Sequence, residues 1–475
     1  MLGLLRTDAE GAPSLRISES SRFPNVPLPS AGGLGWDVDA LWDAVQSGLR
    51  AGIDDARRAG ARIAGIGVDS WGVDYGRLTV DATLRPFVRH HRDVDAALAA
   101  RSSAARDVAA DYGVTGVLDQ AINTAHQLRQ DAVRGIGAPD DRILLIADLF
   151  VHLLTGVAAS EESLASSTAL LDRTTGDWSA ELARGLPGVL PPVVSAGGLA
   201  GVTRPEVTAR IGADEAVPVW FTTAHDTAAA FSAVVDATSG GRTAVVSCGS
   251  WAVVGVVLDR PILTEGARLA GFTQEIGAGG ETLLVKNLSG MWLLQQTMRE
   301  WSEADGRDGW SVTHLRALLD EAAASPYPGT FDPADAALHA PGALVDRLEQ
   351  ACAATAGRTP GTRADLVRAI LESLAMAYAG TLAQIEALTG CTIASVRMVG
   401  GGARNELLGA LTAERTALPV IAGPVEASVR GILIQLAVAS GRLPDLDTAR
   451  LIPVDDSDQP IRRYDPRPSP AEGHA

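Results

Sequence analysis

The stretch Phe221-Thr-Thr-Ala-His-Asp-Thr-Ala-Ala-Ala230 joins an apolar, strand-like run (Val217 to Phe221) to a helix of small residues. It therefore places an imidazole, His225, and a carboxylate, Asp226, at a strand end, where open α/β folds hold their ligands. A hydroxyl group brought there meets a proton acceptor. The competing reading is a helix N-cap, since an aspartate ahead of an alanine-rich run satisfies free helix N–H groups.

Outward from this point the chain repeats one grammar. An amphipathic helix, roughly Asp39 to Arg58, leads into the buried-strand pattern Ile63 to Val68, which ends in Asp69-Ser-Trp-Gly-Val-Asp74. A longer helix, roughly Arg363 to Leu388, leads into the strand Ser395 to Val399, which ends in Gly400-Gly-Gly-Ala-Arg-Asn405. Mixed strands and helices of this kind predict α/β layers. The turn-rich run Asp236-Ala-Thr-Ser-Gly-Gly-Arg242 predicts a break, and a hinge there sets Asp226 beside an interdomain cleft. The expected domains are residues 1–237 and 242–462, with a proline-rich, disordered tail over 466–475.

After the break, the β-rich runs Thr243 to Ser247 and Trp251 to Val257 are joined through Cys248-Gly249-Ser250. Such a hairpin can turn successive N–H groups outward as a nest for phosphate oxygens, with the Ser250 hydroxyl as a further donor. Gly-Ser hairpins that bind nothing are also common. Gly400-Gly401-Gly402 lets a flat ligand lie on bare backbone, although a plain strand-to-helix turn accounts for it equally well. Its spacing does not fit the dinucleotide fingerprint G-x-G-x-x-G.

Composition narrows the function classes. A chain of 475 residues with 46% hydrophobic content can hold two or more domains. The formal charge of −17 argues against a nucleic-acid or anionic membrane partner. The three cysteines, Cys248, Cys352 and Cys391, are too scattered for a disulfide framework or a zinc site, which makes the cytoplasm the expected location. The apolar run Met1-Leu-Gly-Leu-Leu5 is too short for a signal peptide, and no uncharged stretch is expected to span a bilayer. Lys286 is the only lysine among 40 basic residues, so it is either a chance survivor or a position that arginine cannot fill.

Six segments occur in order: Asp69-Ser-Trp-Gly-Val-Asp74, Ala224-His-Asp-Thr-Ala228, Ser247-Cys-Gly-Ser-Trp251, Lys286-Asn-Leu-Ser-Gly-Met-Trp-Leu-Leu-Gln295, Gly400-Gly-Gly-Ala-Arg-Asn405 and Ala422-Gly-Pro-Val-Glu-Ala-Ser428. Together they resemble the FGGY carbohydrate kinases, in particular the rhamnulokinase branch, from about Trp36 to Ile461. The resemblance implies two actin-like ATPase (ribonuclease H-like) domains with a cleft between them, a ketose and ATP as small-molecule partners, and Mg²⁺ as cofactor. It also implies transfer of phosphate to the sugar's terminal hydroxyl. Asp226 matches the family's proton acceptor. Gly72, His225, Thr227 and Asn287 match positions that line the sugar. Ser250 and Gln295 match nucleotide contacts, Gly249 shares the phosphate hairpin, and Gly401 and Gly402 fall in the adenosine loop. The branch typically has threonine where Ser250 stands, and the exchange keeps the hydroxyl.

Two departures from the family pattern set further expectations. The family opens with a strand that ends in Asp and carries a first phosphate loop and a metal carboxylate. Here Met1-Leu-Gly-Leu-Leu5 resembles the strand that follows it, so the first strand of the N-terminal domain is expected to be missing. Either the start codon lies upstream and the enzyme is active, or the chain binds sugar without phosphorylating it and folds poorly. The second departure is Ser428-Val-Arg-Gly-Ile-Leu-Ile-Gln435, where a helix start one residue short and without the family's asparagine either disturbs packing in the nucleotide domain or is absorbed by a local shift.

Overall fold

A computed structural model describes residues 1–7, 11–30, 33–234, 241–307, 309–340, 342–455 and 461–466. The chain forms two compact units, each assembled from separate stretches. The first comprises Met1–Val235, Val257–Leu284 and Ala427–Asp458, and the second comprises Asp236–Val256, Val285–Glu426 and Gln459–Ala475. The expected hinge at 236–240 and the expected tail beyond 466 lie outside the described residues.

In the first unit the helix Val38–Arg58 begins at Asp37, whose carboxylate accepts the Ala40 N–H, and ends with Arg57 and Arg58 facing the helix dipole. Its apolar stripe places Ile53 in a core with Val207, Val219 and Phe221. The strand Pro218–Trp220 pairs antiparallel with Leu199–Val202 and carries this core to the start of the helix Asp226–Ser232. The N-terminal strands Leu2–Thr7 and Pro13–Ser18 form an antiparallel hairpin, and Val454–Asp455 pairs beside Pro13–Ser18.

The expected buried strand over 63–68 is corrected. That segment is only half-buried, and it joins Pro218–Trp220 through a single isolated bridge, Ile66 to Val219, with the Ile66 N–H on Pro218 O and the Trp220 N–H on Ile66 O. Its bonds to that strand stop at this one residue, and a continuous strand needs consecutive ladder pairs.

In the second unit the strands Arg242–Cys248 and Trp251–Leu258 form the expected hairpin, paired from Ala244↔Val256 to Cys248↔Ala252. Arg242–Cys248 pairs parallel with Ile393–Val399, which pairs parallel with Val420–Ala422, and Arg462–Tyr464 closes that edge antiparallel. Such sheet centres are buried on both faces, and Ala244, Val245 and Val246 are fully buried. The helix Arg363–Thr389 is capped by the Thr362 hydroxyl and ends at Gly390, whose φ of 70° suits glycine. By length and composition it could cross a membrane, but 67% of its apolar window is buried inside the protein, as in a core helix.

Candidate active site

The Thr223–Asp226 loop sits where the strand Pro218–Trp220 hands over to the helix Asp226–Ser232, and four consecutive amides in it are bound by other parts of the first unit. The Thr223 N–H donates to Gln435 Oε1 (2.7 Å), the Ala224 N–H to Glu161 Oε2 (3.1 Å) and the His225 N–H to Ser163 Oγ (3.0 Å). The Asp226 N–H donates to Ser70 O (2.9 Å), and the Ser70 N–H returns a bond to Ala224 O (2.8 Å). With every amide engaged, the loop offers outward only its side chains. His225 is the N-cap residue by backbone position, yet its side chain makes no cap bond. Asp226 is the first helical residue. Its Oδ1 accepts the Thr227 N–H (2.6 Å) and lies 3.3 Å from the Thr227 hydroxyl, while half of its side chain faces solvent.

The structure brings Gly72, His225, Asp226 and Thr227 together. A Cβ on Gly72 would lie 3.3 Å from His225 Nε2 and 3.0 Å from Ser167 Oγ, so glycine keeps the space beside the ring open. His225 Nδ1 donates to Glu275 Oε2 at 2.7 Å, and Nε2 lies 3.6 Å from Asp226 Oδ1. Burial alone would lower the His225 pKa, but the charge and hydrogen bond of Glu275, helped by Asp226 and Glu161, raise it to about 9.

Glu161 is buried, and its Oε2 gathers the Ala224, Ser163 and Leu164 amides together with the Ser163 hydroxyl. Burial, against those bonds, raises its pKa to about 7. Asp69 is raised to about 6 by burial and by the charge of Asp226, with the Ser428 hydroxyl opposing. Asp74 is a structural tie. Its Oδ2 accepts the indole N–H groups of Trp36 (2.7 Å) and Trp71 (2.8 Å) and a bond from His91 Nδ1 (3.0 Å).

Of the two outcomes open for residues 428–435, the structure shows the packed one. The helix Ala427–Ala439 belongs to the first unit and lies against Asp226–Ser232. Gly431 permits that approach, because a Cβ there would collide with Ala229 O, and the buried Gln435 bonds both Thr223 and Ser232 Oγ. Glu161, Ser163, Glu275 and Gln435 went unflagged in the sequence. No local motif marks them, since their partners in the 223–225 loop lie at least 50 residues away.

Asn287 and the nucleotide-side candidates belong to the second unit. The Ser250 hydroxyl donates to Gln295 Oε1 at 3.3 Å, which brings two of them together. The Gly249 N–H closes the turn on Trp251 O (2.8 Å), so the expected nest loses that amide. The hairpin's carbonyls are occupied as well: Gly249 O takes the Met291 N–H and Ser250 O takes the Gly290 and Trp292 N–H groups. The Ser250 N–H has no backbone acceptor among the described residues. In the triple glycine, a Cβ on Gly400 or Gly402 would press on Cys248, whereas one on Gly401 would meet nothing within 4 Å. Only Gly401 therefore presents bare backbone to a ligand. Asn287 is exposed near the end of Thr282–Ser289, and its neighbour Lys286 donates to Gln384 Oε1 at 3.0 Å. Burial lowers the Lys286 pKa, with the Asp332 charge opposing.

The candidate groups lie in two units, a carboxylate on a fixed loop in one and a hydroxyl-bearing hairpin in the other. The family models agree: the N-terminal domain of the FGGY family of carbohydrate kinases matches residues 17–232 and the C-terminal domain matches 244–440. The chain belongs to this family, and it is an ATP-dependent sugar kinase with the two-domain FGGY fold. Among its relatives are rhamnulokinases. That of Bacteroides thetaiotaomicron is 31% identical over 91% of this chain and 87% of its own length. That of Halalkalibacterium halodurans is 28% identical over 95% and 94%. Among solved structures, a ligand-bound xylulose kinase from Lactobacillus acidophilus superposes with a TM-score of 0.73 at 16% identity, covering 96% of this chain and 91% of that one. The Plasmodium falciparum glycerol kinase with ADP gives 0.69 at 14% identity, covering 94% and 92%. These structures share the fold.

Proposed function

We propose that the chain transfers the γ-phosphoryl group of Mg·ATP to the 1-hydroxyl of L-rhamnulose, giving L-rhamnulose 1-phosphate in cytoplasmic rhamnose catabolism. The observation that carries the reading is the Thr223–Asp226 loop, which is fixed through all four amides while leaving the Asp226 carboxylate open to a hydroxyl. The named rhamnulokinase relatives support the choice of sugar.

Phosphoryl transfer passes through a loose transition state, so holding the acceptor oxygen in line does most of the work, and a carboxylate takes the hydroxyl proton late. In this scheme Asp226 is that acceptor. Gly72, His225, Thr227 and Asn287 contact the sugar, while Ser250, Gln295 and the backbone at Gly401 contact the nucleotide, with Gly249 shaping the hairpin and Gly402 the turn beside Cys248. A magnesium ion brought with ATP would supply charge neutralisation on the phosphates. Among the described residues no three His, Cys, Asp or Glu side chains converge as a metal cage, so no side chain is assigned to the ion.

A panel of L-rhamnulose, L-fuculose and D-xylulose with Mg·ATP tests the reading, with products identified by phosphorus NMR. The highest kcat/KM is expected for L-rhamnulose, and a higher value for either other ketose replaces the sugar assignment. Binding of sugar without phosphorylation of any of the three overturns the kinase reading for this chain.

A further inference from the structure

We propose that Glu275 is a positioning residue that keeps His225 doubly protonated, so that its Nε2–H donates to an acceptor-only oxygen, the ketose carbonyl, beside the hydroxyl that Asp226 deprotonates. The inference rests on the proposed ketose kinase reading and assigns a role to a residue outside it.

The geometry is specific. Glu275 Oε2 takes the proton on Nδ1 at 2.7 Å, which fixes the ring plane and turns Nε2 toward Asp226 and the space that Gly72 keeps clear. With Nδ1 committed to Glu275, the state of Nε2 is decided by total protonation alone. Doubly protonated, Nε2 is a donor; singly protonated, it becomes an acceptor. A reacting hydroxyl donates to Asp226, and a carbonyl one carbon away can only accept. The pair Asp226 and His225–H⁺ therefore matches an α-hydroxyketone, whereas a neutral His225 would oppose a carbonyl with a lone pair.

The groups facing His225 favour the cation. Glu275 faces it from the strand Thr273–Ile276, Asp226 from its own helix and Glu161 from the start of Glu162–Ser166; Asp69 faces Asp226 from the 69–74 segment. One cation opposes them: Arg173 faces Glu275 and Glu162, with its Nε and Nη1 buried and without hydrogen-bond partners. Glu275 lies 2.7 Å and Asp226 3.6 Å from the ring nitrogens, and the carboxylates together raise the His225 pKa to about 9.

The test is Glu275→Gln in the full chain. Glutamine keeps an acceptor for Nδ1–H and loses the charge. Nitrogen NMR titration of His225, assigned by comparison with His225→Asn, should show a wild-type imidazolium at pH 7.5 and a neutral ring in Glu275→Gln. In kinetics, kcat/KM for the ketose at pH 8 should fall at least tenfold in Glu275→Gln, mostly through KM, and recover toward pH 6, while the wild type holds its value to about pH 9. A neutral wild-type His225 at pH 7.5, or an unchanged His225 titration in Glu275→Gln, overturns the proposal. The wild-type titration needs no substrate and decides the point even if Glu275→Gln does not fold. If no ketose is phosphorylated while the titration behaves as stated, the proposed function fails and the paired side chains stand.

Discussion

The Thr223–Asp226 loop and the Cys248–Ser250 hairpin solve opposite problems with the same backbone. In the loop the amides are occupied, by Gln435, Glu161, Ser163 and Ser70, and what remains for a ligand is an acceptor, the Asp226 carboxylate. In the hairpin the carbonyls are occupied, by the amides of residues 290–292, and what remains is a donor, the Ser250 N–H, beside a hydroxyl whose single proton rests on Gln295 Oε1. The difference matches the two halves of the reaction: a hydroxyl must lose a proton to an acceptor, and an anionic phosphate must be met by donors. Each region is therefore prepared by tying off the polarity it does not need.

The sharpest way to break the loop's side of the comparison is Asp226→Asn. The substitution preserves shape and removes the proton acceptor, so kcat should fall by about 10²–10⁴, the usual worth of a positioned general base. Sugar affinity measured by calorimetry should change little. A variant with wild-type kcat would show that the open carboxylate is incidental.

Glu161→Gln tests whether the tied amides matter. Glu161 Oε1 has no partner in its buried site, so an amide nitrogen there strands two donors at a cost of about 1–3 kcal/mol. The loosened loop should lower kcat about tenfold, given how steeply rate follows placement. The pH dependence has a definite sign. Because the folded-state pKa is raised from 4.5 to about 7, wild-type Glu161 contributes stability that is complete below about pH 4.5 and is lost as pH rises through 7. Melting temperatures of wild type and variant should therefore converge between pH 5 and pH 8, and divergence would contradict the assignment.

The same contrast explains how much could be read in advance. The helices Val38–Arg58 and Arg363–Thr389 follow from periodicity and caps, and the hairpin from its β-rich arms, because those signals are local. The segment 63–68 has an equally strand-like pattern, but a ladder also needs partners, and sequence pattern does not count partners. Asp226 was legible through its neighbours, whereas Glu161, Glu275 and Gln435 gain their meaning only from contacts across 63, 50 and 212 positions. Gly431 likewise sits within a segment whose packing the sequence left open, and its missing side chain is what lets the helix reach Ala229.

On the hairpin's side, Ser250→Ala removes the hydroxyl, which meets a phosphate oxygen by turning its proton away from Gln295 Oε1, and should raise the KM for ATP about fivefold, equivalent to roughly 1 kcal/mol for one hydrogen bond. The kcat should stay within about twofold, since the amide still meets the phosphate, and Ser250→Thr should restore the wild-type KM. A rise in the sugar's KM instead would place the hairpin on the wrong substrate.

The smallest expected effect separates binding from packing within one run of glycines. Gly402→Ala has to push against Cys248, a buried thiol whose pKa is raised to about 11 by burial, and overpacking of that kind costs about 1–3 kcal/mol. Gly401→Ala enters open space and should leave the melting temperature unchanged, within about 0.5 kcal/mol of wild-type stability. Its consequence should appear only with nucleotide, as a severalfold rise in the KM for ATP, because a methyl group then stands where a flat base lies on the backbone. If Gly401→Ala leaves the ATP KM untouched, all three glycines are explained by the strand-to-helix turn, and the nucleotide surface of the second unit contracts to Ser250 and Gln295.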